Sequence, residues 1–405
     1  MPIPPFPLEI IAEIVSHLRT PVEQPVNDSI SNGQSISLVC RRFAPFGQAL
    51  RWRLVRIDPS SIRSLAQHFK EFPRLAKLVR FLLIRKHQDK TGDTEEEEED
   101  HQEDQDDEEE DEIAFQAESA LDLVSVLTST TSLLRLEIKA GLQGSSSSAL
   151  TTVIRAVSAL QRLNTFELRV RGKIEWNLEI AKAFDAGFPA MDILWLELAE
   201  VSVPEAVFDQ FPLSNPLKKF GSFHLSIGGD PVAASSLGNY LLKQLDPSTL
   251  LDCVLGGHLA NDANFKVLVA CPRLYRLKLK MDPRDAANSF SNFVKHLPQF
   301  PSLQAVEVSV HGPSPGEFLA IDADIPLTTV LAALPTSLQA AGFHINFRDY
   351  ESILPRHVQG PKQVAVVAIR PSDEFRYEAM LLWKAEEEEG KSASWYRDSK
   401  PGRDI

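Results

Sequence analysis

The sequence predicts an α/β fold: an irregular repeat solenoid with one strand and one helix per repeat and a parallel concave sheet, preceded by a small all-α module. Three observations carry this prediction. A short apolar motif recurs along most of the chain, helical periodicity fills the segments between its copies, and the N-terminal segment has a helical pattern of its own. A chain of 405 residues is also too long to fold around one ordinary compact core.

The recurring motif has the form apolar-x-x-apolar-x-apolar and runs into the two-residue alternation of a half-buried strand. Its copies begin at Leu78, Leu133, Leu163, Met191, Phe220, Leu250, Leu274, Leu303, Leu338 and Val364. In the first copy, Phe81 and Leu83 are the predicted buried strand positions. From Leu133 onward the starts lie 24 to 35 residues apart, and stretches such as 149–160 and 285–297 carry one apolar helical face. Because one strand and one helix cannot bury their apolar stripe alone, neighbouring units must stack.

These copies resemble leucine-rich repeats over roughly residues 70–370. That family has an Asn or Cys after the strand, which caps backbone groups at the turn. This chain has other residues there, namely Gly141, Arg171, Ala199, Asp282 and His311. The resemblance therefore implies an irregular leucine-rich-repeat array with variable turns rather than an evenly curved horseshoe.

The N-terminal segment, residues 1–56, has the pattern of a helical docking module. Pro7 can begin a helix over 7–18, whose apolar residues fall on two faces and therefore need two partners. Residues 37–57 mix apolar with basic residues and can cover one of these faces. A module with so few apolar residues is marginal alone, so we expect another protein to cover the other face.

The apolar residues of these two segments stand at a characteristic spacing. They are Pro7, Leu8, Ile10, Ile11, Ile14, Leu18, Leu38, Val39, Phe43, Leu50 and Trp52. Together with Glu9, Cys40 and Arg41 they resemble the F-box motif, although the link at 20–35 is longer than usual in that family. The resemblance implies that these apolar residues bind a Skp-family adaptor, which connects to a cullin and a RING subunit, while the repeats hold a protein substrate. Divergent repeats of this kind occur in fungal and plant F-box proteins.

The formal net charge of −14 comes from one segment, because 16 Asp and Glu residues lie between Asp93 and Glu112. The rest of the chain is close to neutral and has no global field to attract nucleic acid or a membrane, so we expect neither partner. Like charges repel along the tract, which predicts an acidic disordered insert at 89–112. The remaining predicted divisions are a connecting segment with a first degenerate repeat at 57–88, the repeat array at 113–384 and a disordered C-terminal tail at 385–405.

Chemically reactive residues are scattered along the chain. Cys40, Cys253 and Cys271 form no CxxC pair, which favours a reducing compartment, so a cytoplasmic or nuclear location is expected. The first apolar stretch lacks a preceding basic region and no run is long enough to span a bilayer, so we predict neither a secretory signal nor a membrane anchor. Known nucleophile, phosphate-loop and metal-ligand motifs do not occur, which predicts no enzyme, no cofactor and no metal site.

Residues that alternate with the buried apolar positions are predicted to point out of the concave sheet and to contact the substrate. They include Glu167, Arg169, Trp195, Glu197, His224, Arg276, Lys278, Lys280 and His344. Trp195 indicates an interface, because a water-facing indole gains little unless a partner covers it; the alternative is that it packs on a neighbouring strand residue such as Arg169. Arg276, Lys278 and Lys280 form a basic stripe that can accept an acidic or phosphorylated segment.

Two functions from different classes agree with these features. The first is a substrate-recognition subunit of an SCF-type cullin-RING ubiquitin ligase, which the two resemblances imply together. The second is a leucine-rich-repeat scaffold or acidic histone-binding protein not linked to ubiquitin, which the acidic tract favours. In acidic leucine-rich nuclear proteins the tract follows the repeats, whereas here it lies between the N-terminal module and the array.

Deletion of residues 93–112 should leave the Tm nearly unchanged, because a self-repelling, solvated segment contributes little packing and mainly sets a loop length. Differential scanning calorimetry of the full chain and the deletion variant, at one ionic strength, measures this. A fall of many degrees would show that the tract packs against basic groups of the fold.

Overall fold

The computed structural model describes residues 44–85, 117–141, 147–204, 217–310, 322–323, 325–338, 340–344, 346–347, 363–368 and 378–381. The chain forms two compact units, one of Met1–Ile174 with Leu178–Ala190 and one of Glu175–Asn177 with Met191–Ile405. The predicted helix over 7–18, the acidic insert at 89–112 and the C-terminal tail at 385–405 lie outside the described residues.

Helices alternate with parallel strands in the first unit. Its described helices are α1 (Ala44–Arg51), α2 (Ile62–Glu71), α3 (Pro73–Ala76), α4 (Ala117–Ser129), α5 (Ser147–Ser158) and α6 (Leu178–Asp185), with a 3-10 turn at Pro59–Ser61. Its described strands are β1 (Leu54–Ile57), β2 (Phe81–Ile84), β3 (Arg135–Gly141) and β4 (Thr165–Glu175, whose last residue belongs to the second unit). They pair in chain order and in parallel, with Phe81 opposite Arg135 and Arg135 opposite Thr165.

The second unit follows the same alternation. Its described helices are α7 (Pro231–Lys243), α8 (Asp262–Val269), α9 (Ala286–His296) and α10 (Leu327–Ala333), with a 3-10 turn at Leu297–Gln299. Its described strands are β5 (Ile193–Ser202), β6 (Ser222–Gly229), β7 (Asp252–Gly257), β8 (Arg276–Met281), β9 (Ala305–Val310), β10 (Asp322–Ala323), β11 (Ala340–His344), β12 (Asn346–Phe347), β13 (Gln363–Ala368) and β14 (Glu378–Leu381). Strands β5 to β9, β11 and β13 pair side by side in parallel. β14 pairs antiparallel with β13, and β10 pairs with β12 in a separate small sheet.

The predicted α/β class, with parallel strands separated by helices, is confirmed. Each of the ten predicted motif copies leads into one strand, and the helices predicted at 149–160 and 285–297 are observed as α5 and α9. Sequence reasoning misses β1, because residues 37–57 are assigned to the helical docking module, although Trp52, Val55 and Ile57 stand at the spacing of the repeat motif. The strand series therefore begins at Leu54, inside the segment assigned to the docking module.

The register predicted for the first motif copy is wrong. Leu82 and Ile84 are the buried residues of β2, whereas Phe81 and Leu83 are half-buried. Four consecutive apolar residues remove the alternation from which a register is inferred. In the fold the neighbouring strand fixes the register, because Leu82 lies opposite Leu136 of β3 and a shift by one residue would turn every side chain to the other face.

One apolar stripe on each strand and one on each helix form the core. In β6, Phe223, Leu225 and Ile227 are buried, while the residues between them are half-buried. Successive helices pack side by side, α2 with α4, α4 with α5 and α5 with α6 in the first unit, and α7 with α8 and α8 with α9 in the second. In each unit these helices cover one face of the strands. We call the other face, which carries the alternate strand residues, the open face.

Local signals set where each repeat turns. Helix α7 begins after Asp230, whose carboxylate accepts a hydrogen bond from the Ala233 N–H at 2.8 Å, and Pro231 occupies its first turn. At the end of β7, Gly257 has a φ of +69°, and a Cβ there would lie 2.5 Å from the carbonyl oxygen of Ile227. Only glycine tolerates this backbone conformation and this close approach together. Glycine at this position therefore allows the end of β7 to lie directly against β6.

Phe223→Ala should lower the free energy of unfolding by about 3–5 kcal/mol, because the phenyl ring is fully buried between β6 and the helices of the second unit. Val232→Ala is the matched control in the same unit, since its side chain is 73% exposed and its loss should change stability by less than about 0.5 kcal/mol. Urea denaturation followed by circular dichroism measures both values. Equal losses for the two variants would contradict the burial pattern.

Candidate functional site

Side chains on the open face of the second unit form rows across neighbouring strands. The parallel register sets the members of each row. The middle row contains Trp195, His224, Val254, Lys278 and Glu307. The row toward the strand N-termini contains Ser222, Asp252 and Arg276, and the row toward the C-termini contains Glu197, Ser226, Gly256, Lys280 and Ser309.

Asp252 is the charged centre of the first of these rows and is only 4% exposed. Its carboxylate accepts hydrogen bonds from Arg276 Nε at 2.8 Å and Nη2 at 2.5 Å, and from the Ser222 hydroxyl at 3.0 Å. His224 Nε2 lies 3.3 Å from the same carboxylate. Burial raises the pKa of Asp252, but the hydrogen bonds and charges of Arg276 and His224 outweigh burial and hold this pKa well below its ordinary value. Asp252 is therefore ionised at neutral pH.

The contact among Ser222, His224 and Asp252 does not have the geometry of a Ser-His-Asp catalytic triad. A triad uses one imidazole nitrogen toward the serine and the other toward the carboxylate. Here Nε2 of His224 faces both groups, at 3.0 Å from Ser222 Oγ, while Nδ1 is buried without a hydrogen-bond partner. The Ser222 hydroxyl also donates to Asp252 itself. The cluster holds Arg276 in place through Asp252.

Trp195 lies on the open face and is half-buried. The centroid of its indole is 4.6 Å from that of the His224 ring, and Lys280 Nζ lies 6.0 Å from the indole centroid. Arg169, the packing partner considered from the sequence, belongs to the first unit, where its Nε donates to Glu167 at 2.8 Å. The described contacts of Trp195 thus include an aromatic ring and a cation supplied by other strands of its own unit.

The three residues of the predicted basic stripe are held by different partners. Arg276 is paired with Asp252, and Lys278 Nζ lies 2.7 Å from Oε1 of Glu307, whose side chain is 10% exposed. Lys280 is positioned against the Trp195 ring. The stripe therefore consists of cations that point toward solvent, and buried carboxylates and an aromatic ring fix their orientation.

A cavity of about 210 Å³ opens on this face. Trp195 and His224 line it from β5 and β6, and Val254 lines it from β7. Arg276, Lys278 and Lys280 of β8 and Glu307 of β9 complete its charged part. The cavity therefore gathers side chains from five consecutive strands, which lie far apart in the sequence.

The open face of the first unit also has buried carboxylates beneath cations. Glu137 and Glu167 are about 5% exposed. Lys139 Nζ lies 2.9 Å from Glu137 Oε1, and Arg135 Nη2 lies 3.5 Å from Glu137 Oε2 and 3.7 Å from Glu167 Oε2. Burial raises the pKa of Glu137, but the hydrogen bond to Lys139 and the nearby cations outweigh burial and lower it. In both units, therefore, buried carboxylates of the open face hold the surface cations in place by ion pairs.

The structure brings five of the predicted substrate-contacting residues, Trp195, His224, Arg276, Lys278 and Lys280, to the same cavity. Glu197 is half-buried in the adjacent row, whereas Glu167 and Arg169 are on the open face of the first unit. His344 is in β11, and its side chain is outside the described residues.

Two of the predicted adaptor-binding residues are described. Leu50 is buried at the end of α1, and Trp52 stacks on His68 of α2 with 5.3 Å between ring centroids. Part of the Trp52 indole is therefore covered by the first unit itself. The others, Pro7, Leu8, Ile10, Ile11, Ile14, Leu18, Leu38, Val39 and Phe43, lie outside the described residues.

Sequence reasoning misses Ser222 and Asp252 as members of the candidate site, whereas it predicts that Glu307 points out of the sheet. Asp252 stands directly before Cys253 in the weakest motif copy, where the alternation is hard to follow. The signal that finds it is its position two residues before Val254, on the same side of β7. The alternation within one strand shows which side chains share a face. It does not show which residues of the next strand lie opposite them, because that depends on the register between the strands.

In comparisons with known proteins, the chain matches no protein-family model and no curated protein. No group of three or more His, Cys, Asp or Glu residues that could hold a metal ion occurs in the described parts of the chain. None of the helices described above is long and apolar enough to cross a membrane.

Burial raises the pKa of the Cys271 thiol to about 11 and that of Cys253 well above its ordinary value, so both thiols are protonated at neutral pH.

Asp252→Ala should lower the free energy of unfolding at pH 7 by about 1.5–3 kcal/mol, because it removes two charge-assisted hydrogen bonds from Arg276, whose side chain is 40% exposed and stays partly hydrated. The double variant Asp252→Ala/Arg276→Met removes both charges and should lose markedly less. Urea denaturation measures both. A double variant as unstable as the single one would mean that the ion pair is not the origin of the loss.

The same stabilisation should disappear in acid. The folded-state pKa of Asp252 lies below the value of about 3.9 for an unfolded Asp, so the unfolded chain binds the proton first. The contribution is therefore complete above that pH and declines as the pH falls below it. The stability difference between wild type and Asp252→Ala should accordingly be smaller at about pH 3 than at pH 7.

Proposed function

We propose that this chain is the substrate-recognition subunit of an SCF-type cullin-RING ubiquitin ligase. In this proposal residues 1–56 form an F-box that docks a Skp-family adaptor, and the open face of the leucine-rich repeats binds the substrate. The observation that carries it is the order of two features: F-box-like residues from Pro7 to Trp52, followed at once by strand–helix repeats from Leu54 onward. A chain with both an adaptor-docking motif and a repeat array can bind the ligase through the first and the substrate through the second.

This function requires no chemistry from the chain itself. Tethering a substrate beside a ubiquitin-loaded enzyme raises its effective concentration there, and the rate of transfer follows from that concentration. The open face supports the recognition half of the proposal, because it presents an aromatic residue and oriented cations, and Trp and Arg dominate the energetics of protein interfaces.

The alternative is a leucine-rich-repeat scaffold or acidic histone-binding protein without a link to ubiquitin. The acidic tract at 93–112 favours it, because a dense row of carboxylates attracts basic partners. Co-purification of the full chain from cells discriminates the two. Adaptor and cullin peptides support the ligase, whereas histones without adaptor support the scaffold.

Replacement of Leu8 and Ile11 by alanine should weaken adaptor binding tens- to thousands-fold, because each truncation removes apolar contact and the pair is worth about 2–5 kcal/mol. Isothermal titration calorimetry with the full chain and a purified Skp-family adaptor measures the affinity. Val232→Ala, at an exposed position of α7, is the control and should bind as the wild type does. If the wild-type chain shows no association at about 10–100 μM, where a micromolar complex would be saturated, the ligase proposal fails.

A further inference from the structure

The cavity on the open face of the second unit has the size of a single side chain. Its volume of about 210 Å³ is below the roughly 300–1,000 Å³ of clefts that hold drug-sized ligands. Strands β6, β7 and β8 are each paired on both sides, so the sheet offers no edge there to a ligand backbone. A protein partner bound at this position must therefore be recognised through a side chain that enters the cavity.

The charges at the cavity favour an anionic side chain. Three cations, Arg276, Lys278 and Lys280, line it, against the carboxylates of Glu307 and of Asp252 behind Arg276. The side chains of Asp252 and Glu307 are 6% and 10% exposed, whereas those of Arg276 and Lys278 are 40% and 28% exposed. A group arriving from solvent therefore meets the cations before the carboxylates, so an anion is attracted and a cation is repelled.

Arg276 and Lys278 are also held ready to donate. Arg276 uses Nε and Nη2 on Asp252, and Lys278 places Nζ against Glu307. A guanidinium has five N–H donors and an ammonium has three, so each cation retains donors for a ligand oxygen. Because the buried carboxylates already restrict both side chains, an incoming anion loses little further side-chain entropy.

The opposite side of the cavity is aromatic and apolar. Trp195 and His224 form its wall, with ring centroids 4.6 Å apart, and Val254 lies between this wall and the cations. An apolar residue next to the anionic one can cover the indole, and burial of aromatic surface contributes strongly at interfaces.

We propose that this cavity binds an acidic side chain of a protein partner, a carboxylate or a phosphate ester, with a neighbouring apolar or aromatic residue of that partner against Trp195. The inference deepens the proposed function and rests on it, because it states the chemistry of the substrate segment that the repeats select. A basic segment such as a histone tail is disfavoured at this site.

The test uses random twelve-residue peptides displayed on phage and selected against the immobilised full chain. Enriched peptides should contain Asp or Glu beside an apolar or aromatic residue. Fluorescence anisotropy then measures the affinity of a synthetic copy of an enriched peptide for the wild-type chain and for variants of the cavity. A variant that lacks one charge-assisted contact or the indole should bind this peptide about tenfold more weakly. The same peptide with phosphoserine in place of its acidic residue distinguishes a phosphate ester from a carboxylate as the preferred ligand.

The variants are chosen so that the fold persists. Trp195→Leu removes the aromatic wall. Lys278→Met/Glu307→Met removes both members of one ion pair, because Lys278→Met alone would remove the ammonium that lies 2.7 Å from the buried Glu307 carboxylate. Lys295→Met on α9, whose side chain is 69% exposed, removes a cation elsewhere in the same unit and should leave peptide binding unchanged. Circular dichroism confirms the fold of each variant.

The proposal is overturned if selection enriches no peptide, if enriched peptides lack acidic residues, or if an acidic peptide binds both cavity variants as tightly as the wild type. Adaptor binding by the same protein, measured by calorimetry, is independent of this result. Intact adaptor binding without cavity binding removes only the present inference. Cavity binding without adaptor binding removes only the ubiquitin-ligase proposal.

Discussion

Each strand of the repeats buries every second side chain against its helices, and a parallel neighbour must hold the strand in register for this to succeed. In β6 to β9 that register aligns Leu225, Leu255, Leu279 and Val308 on the buried side. Because side chains alternate with a period of two, the same register aligns His224, Val254, Lys278 and Glu307 on the open face. The candidate site is therefore a direct consequence of core packing. Its residues stand together because the residues beside them are buried.

This dependence explains how far the sequence predicts the structure. Regular spacing and alternation predict the strands, the helices between them and the outward direction of Trp195 and Lys278, since these properties follow from the local backbone. They fail where the local pattern is degenerate. β2 has four apolar residues in a row, so only its pairing with β3 selects which two are buried. β1 is missed for another reason, since Val55 and Ile57 have the motif's spacing but lie in the segment that resembles the F-box motif.

The electrostatics of the site lie beyond the sequence for a different reason. Arg276, Lys278 and Lys280 indicate a continuous basic stripe when only β8 is considered. Their partners come from other strands, since Asp252 is on β7, Glu307 on β9 and Trp195 on β5. Whether a cation is compensated depends on which residue the register sets opposite or diagonal to it. The sequence therefore predicts that the charge of this surface is positive, but it does not predict how the individual charges are arranged.

The buried carboxylates have a further consequence for how the array unfolds. Asp252 contacts Ser222 of β6 and Arg276 of β8, Glu307 contacts Lys278 of β8, and Glu167 of β4 contacts Arg135 of β3. Each contact joins two adjacent repeats, so the loss of one repeat would leave a buried charge uncompensated in its neighbour. In repeat proteins, strong coupling between neighbours relative to the stability of each repeat makes melting cooperative. These carboxylates therefore act against partial fraying, and the strands that they join, β3 with β4 and β6 to β9, are expected to unfold together rather than repeat by repeat.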